Sequence, residues 1–99
     1  MILLSLLAAC LIAYLPEPDD VMVAAAAAQF PDATVATLAE GRALVLDRCS
    51  GCHAAPGPAD VRDPDWPEVF PAMVEEAELT ATEAERVRAY LVVSAATAR

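Results

Sequence analysis

Residues 49–53 read Cys-Ser-Gly-Cys-His, and the rest of the chain is best interpreted outward from this stretch. Two thiols three positions apart, followed at once by a histidine, have the spacing of covalent haem attachment. In such a motif the thiols of Cys49 and Cys52 bond to the porphyrin edge, and the His53 imidazole binds the iron as its proximal ligand. The small residues Ser50 and Gly51 let the backbone lie close to the ring. The sequence therefore predicts one covalently bound haem c.

Three other interpretations of the motif explain less of it. A structural zinc site needs about four Cys or His ligands, whereas the chain outside the motif offers only Cys10 and no second histidine. A thioredoxin-like redox pair follows a strand in a βαβ unit, and the sequence shows no convincing strand alternation. A disulfide between Cys49 and Cys52 stays open, but it gives no reason for His53.

Residues 1–15 carry no charge and are almost wholly apolar, and a proline- and acid-rich stretch follows them. As a helix they would span about 22 Å, less than the roughly 30 Å of a bilayer core. We expect an export signal or a membrane anchor, and three versions stay open. Cys10 ends a stretch that resembles the lipobox of bacterial lipoproteins, so this cysteine could become lipidated. The segment could instead be retained as an anchor, or cleavage could fall near the alanines at 24–28.

Residues 16–36 are interpreted as a linker with a short helix after Asp19 and Asp20, and residues 37–99 as the folded domain. Thr37 and Glu40 have the spacing of a capping box, which predicts a helix that runs toward the haem motif. A domain of about 60 residues has a marginal hydrophobic core, so the need for a large apolar cofactor fits its size.

The second half of the chain predicts two further helices. Residues 54–65 hold three prolines, a glycine and three aspartates and are expected to form a loop. Residues 65–68 place an aspartate, an early proline and a glutamate in the order typical of a helix start, and Pro71 should bend or restart that helix. Thr80 and Glu83 form a second capping-box pattern, followed by apolar residues at helical spacing. The predicted fold is all-α, with three to four helices around the haem.

The run Gly41-Arg42-Ala43-Leu44-Val45, followed by the haem motif, resembles the N-terminal helix of class I cytochromes c, which are small all-α electron carriers. Residues 79–91 resemble their C-terminal helix, and the resemblance covers about residues 37–95. It implies that the glycine of the first helix meets an aromatic residue of the last, here Gly41 and Tyr90. Val45 stands where the family usually has an aromatic residue.

The same resemblance implies a proline carbonyl that accepts a hydrogen bond from the proximal imidazole and so fixes the ring. Pro56 and Pro58 both follow the motif, and the spacing does not choose between them. Trp66 and Phe70 are expected in the core, near the haem edge.

The iron needs a sixth ligand, and Met73 is the candidate. The chain has no lysine and no second histidine, and the other methionines, Met1 and Met22, precede the predicted domain. The resemblance to cytochromes c implies a distal methionine between the haem motif and the last helix, which is where Met73 lies. The alternative is a vacant sixth position, with Met73 as an ordinary core residue.

Net charge and motif together define the expected function. A net charge of −9 argues against nucleic acid as a partner. Glu75, Glu76 and Glu78 follow Met73 and favour a redox partner with a basic docking patch. We expect a monohaem c-type cytochrome, not an enzyme, that transfers single electrons in the periplasm and is tethered to the membrane by residues 1–15 or a lipidated cysteine.

Three alternatives stay open at this point. One is a disulfide-linked helical domain without haem. The chain could be the cytochrome subunit of a larger oxidoreductase or respiratory complex, which would agree with its short length. If Met73 does not bind iron, a gas-binding or peroxidatic haem protein with an open sixth site becomes the better interpretation.

Overall fold

The computed structural model describes residues 15–49 and 56–98 of the chain. Helices hold 71% of these residues and no strand occurs among them, which confirms the predicted all-α class. In chain order the elements are α1 (Asp20–Ala26), α2 (Val35–Leu44), a π-helical turn (Val45–Cys49), α3 (Pro58–Arg62), α4 (Trp66–Glu76) and α5 (Ala81–Thr97).

The longest helix, α5, forms the centre of the fold and packs against α1, α2 and α3. Its start is capped as the sequence predicts. The Thr80 hydroxyl accepts a hydrogen bond from the Glu83 amide at 3.1 Å, and the Glu83 carboxylate accepts one from the Thr80 amide at 2.9 Å. Because other elements cover the helix on several sides, most of its second half is buried: Val87, Ala89, Tyr90, Leu91, Val93, Ser94 and Ala95.

Helices α2 and α5 cross at Gly41, and the expected contact with Tyr90 is present. A Cβ atom at Gly41 would lie 2.2 Å from the backbone oxygen of Arg86 and 2.9 Å from the Tyr90 Cβ. Only a residue without a side chain permits so close an approach of the two helix backbones. Leu38 and Val45, about one turn to either side, have no exposed surface. The crossing is therefore the tightest part of the core.

Helix α2 begins earlier than predicted, so the capping box assigned to Thr37 and Glu40 is wrong. The cap is Thr34, whose hydroxyl accepts a hydrogen bond from the Thr37 amide at 3.1 Å. The Thr37 hydroxyl in turn accepts one from the Thr34 amide at 2.8 Å. Thr37 thus stands at the third helical position, where a capping box usually has glutamate or glutamine. The usual sequence pattern for a capping box does not include threonine at that position.

Residues 15–33 pack onto the helices instead of extending away from them. Leu15, Met22, Ala26 and Phe30 are all buried. The short helix α1 begins after Asp19 as predicted, and the Asp19 carboxylate accepts a hydrogen bond from the Met22 amide at 2.9 Å. The segment interpreted as a linker therefore contributes side chains to the hydrophobic core.

A short helix, α3, occupies part of the region predicted as a loop after the haem motif. Pro58 is its first residue, where a fixed φ helps and an N–H group is not needed. The Gly57 amide donates to Asp60 Oδ2 at 2.8 Å and closes the first turn. Pro58 and Asp60, which were part of the predicted loop, thus belong to the first turn of a helix.

Helix α4 begins at Trp66 after Asp65, as predicted, but Pro71 does not restart it. The helix runs unbroken to Glu76 with Pro71 inside it. Pro71 has no N–H to donate to the carbonyl of Pro67, four residues earlier. Both prolines are exposed, so water can satisfy that carbonyl and the helix continues.

Candidate cofactor cleft

Cys49 is the residue of the predicted haem motif that lies within the described ranges. It ends the π-helical turn that continues α2, and only 8% of its surface is exposed. Such turns are rare and often occur at functional sites. Burial raises the pKa of the Cys49 thiol, so the free side chain is protonated and a weak nucleophile at neutral pH. Cys52, His53 and Cys10, for which the sequence predicts roles, lie outside the described residues.

An open cleft of about 390 Å³ lies where the described chain resumes after the motif. Pro56, the first residue of that stretch, is buried and lines the cleft. Helix α4 contributes Trp66, Val69 and Met73. The structure therefore brings Met73 and Pro56, two of the residues singled out from the sequence, to one site, whereas Pro58 begins α3 instead.

Met73 is half-buried and packs against the same hydrophobic core that contains Cys49. Trp66 is buried, and its ring lies 5.5 Å from that of the half-buried Phe70, between centroids, with the ring planes tilted by 37°. Trp66 belongs to the buried core, as predicted, and Phe70 packs against that core. The Met73 side chain thus lies at the border between the core and the cleft.

Arg48 links the π-helical turn to the end of α4, the helix that carries Met73. Its Nη1 donates to the carbonyl oxygen of Ala77 at 3.3 Å, and the Ala77 amide donates to the Met73 carbonyl at 2.9 Å. Arg48 Nη2 also lies 3.9 Å from the Glu83 carboxylate at the start of α5. The side chain is partly exposed, so each contact stabilises only weakly. Even so, Arg48, the residue next to Cys49, connects the π-helical turn with the end of α4 and the start of α5.

The turn between α4 and α5 contains a residue in the left-handed conformation. Glu78 has a φ of 55°. The Leu79 amide donates to the Val74 carbonyl and the Glu78 amide to the Glu75 carbonyl, both at 3.1 Å. This is the bonding of a Schellman motif, in which glycine usually occupies the left-handed position. The motif fixes the direction in which the chain leaves the helix of Met73.

Three aspartates, at positions 60, 63 and 65, also line the cleft. Two of them serve as acceptors for nearby backbone amides: Asp60 for Gly57 and Asp63 for Asp65, each at 2.8 Å. Within residues 15–49 and 56–98, no group of three or more His, Cys, Asp or Glu side chains is placed to hold a metal ion.

Sequence reasoning missed Arg48 and the cleft aspartates. Nothing in a single sequence indicates which carbonyl a guanidinium will reach 29 residues away. The aspartates were noted only as loop composition. Short polar side chains near proline and glycine commonly accept hydrogen bonds from backbone amides at turns and helix starts. That composition could have indicated the role of these aspartates.

No family model matches this sequence, and comparisons with curated proteins and with solved structures also give no match. In the described part of the chain, no helix has the length and apolar character needed to cross a bilayer.

Proposed function

We propose that this protein is a small monohaem c-type cytochrome that carries single electrons outside the cytoplasm. The observation that carries the proposal is the Cys-x-x-Cys-His sequence, whose Cys49 ends the π-helical turn after α2, together with Pro56 and Met73 in one cleft. The close crossing of α2 and α5 at Gly41 agrees with the arrangement implied by the resemblance to class I cytochromes c.

The described residues fit a haem group in their chemistry. Met73 offers a soft thioether at the edge of the cleft, which is a common axial donor in electron-carrying haem proteins. Trp66 and Val69 supply apolar surface next to it. Cys49 is held at a fixed helix end within the same hydrophobic core. These features suit a flat apolar cofactor that is bonded at one edge.

In this proposal Cys49 and Cys52 hold the haem covalently, His53 is the proximal ligand and Met73 is the distal ligand. The haem supplies reversible one-electron chemistry between ferric and ferrous iron. Pro56 is a better candidate than Pro58 to accept a hydrogen bond from the proximal imidazole, because it is buried and lines the cleft. Such an acceptor fixes the ring orientation and strengthens the imidazole as a donor.

The acidic end of α4 supports a redox partner with a basic docking surface. Glu75, Glu76 and Glu78 are exposed there, close along the chain to Met73. Attraction between patches of opposite charge accelerates association and is screened by salt. We expect the association rate with the physiological partner to fall steeply as ionic strength rises. A rate independent of salt would contradict this part of the proposal.

The test of the whole proposal is an absorption spectrum of the full-length protein, produced in a bacterial host with a haem maturation system. We expect haem that stays on the chain after denaturation, a weak band at about 695 nm in the oxidised protein, and no change when carbon monoxide is added to the reduced protein. A protein without covalent haem would refute the proposal and favour a disulfide-linked helical domain.

Two methionine variants separate ligation from packing. Met73→Leu should abolish the band at about 695 nm and allow carbon monoxide to bind. Met22→Leu is the control, because Met22 is also a core methionine, only 3% exposed, but lies in α1. It should leave the spectrum unchanged. If the native protein already binds carbon monoxide and lacks the band, Met73 is a core residue and a gas-binding or peroxidatic function becomes the better hypothesis.

A further inference from the structure

Two long-range hydrogen bonds attach the first described residues to the helix crossing. The Tyr90 hydroxyl donates to the Pro16 carbonyl oxygen at 2.7 Å, and Arg42 Nε donates to the Leu15 carbonyl oxygen at 3.0 Å. Arg42 Nη1 also lies 3.4 Å from the Glu17 carboxylate. Leu15 itself is 4% exposed, and Tyr90 has no exposed surface. Pro16 therefore provides the acceptor for a buried hydroxyl group.

The attachment continues through α1 and the turn that follows it. Met22, Ala26 and Phe30 have exposed fractions of 3%, 1% and 7%, and they recur every four residues on one side of the chain. The guanidinium carbon of Arg88 lies 5.2 Å from the centroid of the Phe30 ring, a cation–π distance. Residues 15–33, here called the N-terminal strap, are thus held on α5 at both ends.

This packing limits where the chain can be cut during export. Cleavage near the alanines at 24–28 would remove Leu15 and Met22 from the core and Pro16 from Tyr90. A protease that met the folded chain would also have to open α1, whose Ala26 is 1% exposed. We propose that any proteolytic removal of the N-terminal apolar segment falls before Leu15, and that the strap stays in the mature protein as part of the folded domain.

A bound strap also changes how the domain is tethered. A free linker of roughly 20 residues would give the domain a reach of about 25 Å. The bound strap does not provide a free linker of that length, because the folded domain already begins at Leu15. If those residues or Cys10 insert into a membrane, the domain is held close to its surface. This geometry favours redox partners in the same membrane assembly over distant ones.

The strap contacts involve no residue of the cleft, so the strap can be bound whether or not the protein holds haem. The first test determines the mature N-terminus. The full-length chain is exported in a bacterial host with a haem maturation system, and the purified product is analysed by intact mass and N-terminal peptide sequencing. We expect a first residue at or before Leu15, which includes a retained Met1 and a lipidated Cys10. A mature chain that starts after Leu15 would overturn the proposal.

The second test asks whether the strap is bound in solution. Elastase cleaves after alanine, so the run at 24–28 reports release of α1. Met22→Asp should raise the rate of cleavage there at least tenfold, whereas Val21→Asp, at a neighbouring position that is 68% exposed, should leave it unchanged. General unfolding of Met22→Asp, seen by circular dichroism, would also support the proposal, since a free linker cannot support a fold. Equal cleavage rates in a folded Met22→Asp and the wild type would refute it.

Discussion

Gly41 is the position where a single added methyl group gives the sharpest test of the packing. In an exposed helical site, replacing glycine by alanine stabilises a protein by about 1 kcal/mol, because alanine loses less backbone entropy on folding. At Gly41 the same change introduces a Cβ 2.2 Å from the Arg86 carbonyl oxygen and 2.8 Å from its carbonyl carbon. These are backbone atoms of α5, so a side-chain rotation cannot relieve the overlap.

The two effects differ enough in size to predict the sign. Inserting atoms into a packed core costs about 1–3 kcal/mol, occasionally more. Contact with helix backbone places Gly41→Ala at the upper end of that range, since α2 and α5 must move apart as units. After subtracting the helix preference, we expect the free energy of unfolding to fall by about 2 kcal/mol. For a domain of this size the midpoint of thermal unfolding should fall by about 8–16 °C.

The assay is urea and thermal unfolding followed by circular dichroism, with Ala43→Gly as the control on the same helix. Ala43 is exposed, so its replacement should lower the free energy of unfolding by about 1 kcal/mol through helix preference alone. If Gly41→Ala proved more stable than the wild type by about 1 kcal/mol, only helix preference would operate at this position. The close crossing of α2 and α5 would then be wrong.

Three further predictions concern the turn before α5, the start of α5 and its centre. Glu78→Gly should raise the free energy of unfolding by about 1 kcal/mol, because glycine adopts the left-handed conformation without strain. The control is Ala72→Gly at an exposed position of α4, which should lower the free energy of unfolding by about 1 kcal/mol. Urea unfolding midpoints measure both changes. The hydrogen bond from the Thr80 backbone lowers the pKa of Glu83 below 4.5, so stability should decline as the pH falls below that value. Unfolding measured between pH 7 and pH 3 should show a smaller decline in Glu83→Gln, and an identical decline would count against the cap. Burial raises the pKa of Tyr90 from 10.0 to about 12, so the unfolded state ionises first and stability should decline as the pH rises from 10 to 12. Tyr90→Phe should reduce that alkaline decline, and an unchanged profile would show that other groups cause it.

Local spacing made several features of the fold predictable. The Thr80–Glu83 capping box and the Asp19 cap each depend on residues three positions apart, and both are present. Helix α4 begins after Asp65 as predicted, but the Asp65 side chain makes no capping hydrogen bond. The contact between Gly41 and Tyr90 is a long-range feature, and only the resemblance to a known family anticipated it. The start of α2 was misplaced because a threonine hydroxyl can replace a glutamate in a capping box, which a pattern of residue types does not reveal.

For the candidate site, the sequence could suggest ligands but not their arrangement. Elimination made Met73 the candidate for a sixth iron ligand, because the chain offers few side chains of a suitable type, and that role stays a prediction. The cleft and the contact of Arg48 with the Ala77 carbonyl depend on the relative placement of three helices. That placement results from packing over the whole core, and periodicity within one segment contains no information about it.

The packing of the N-terminal strap was the least predictable feature, and the reason lies in its composition. Alanines at 24–28 occupy every side of the chain, so the buried positions Met22, Ala26 and Phe30 do not stand out as an apolar stripe. The proline after Phe30 suggested an interruption rather than a turn that returns to the core. Once the strap is included, the core extends well beyond the roughly 60 residues that the sequence pattern assigned to the domain. A larger core reduces the share of stability that any bound cofactor would have to supply, and it makes the chain before α2 part of the folded domain.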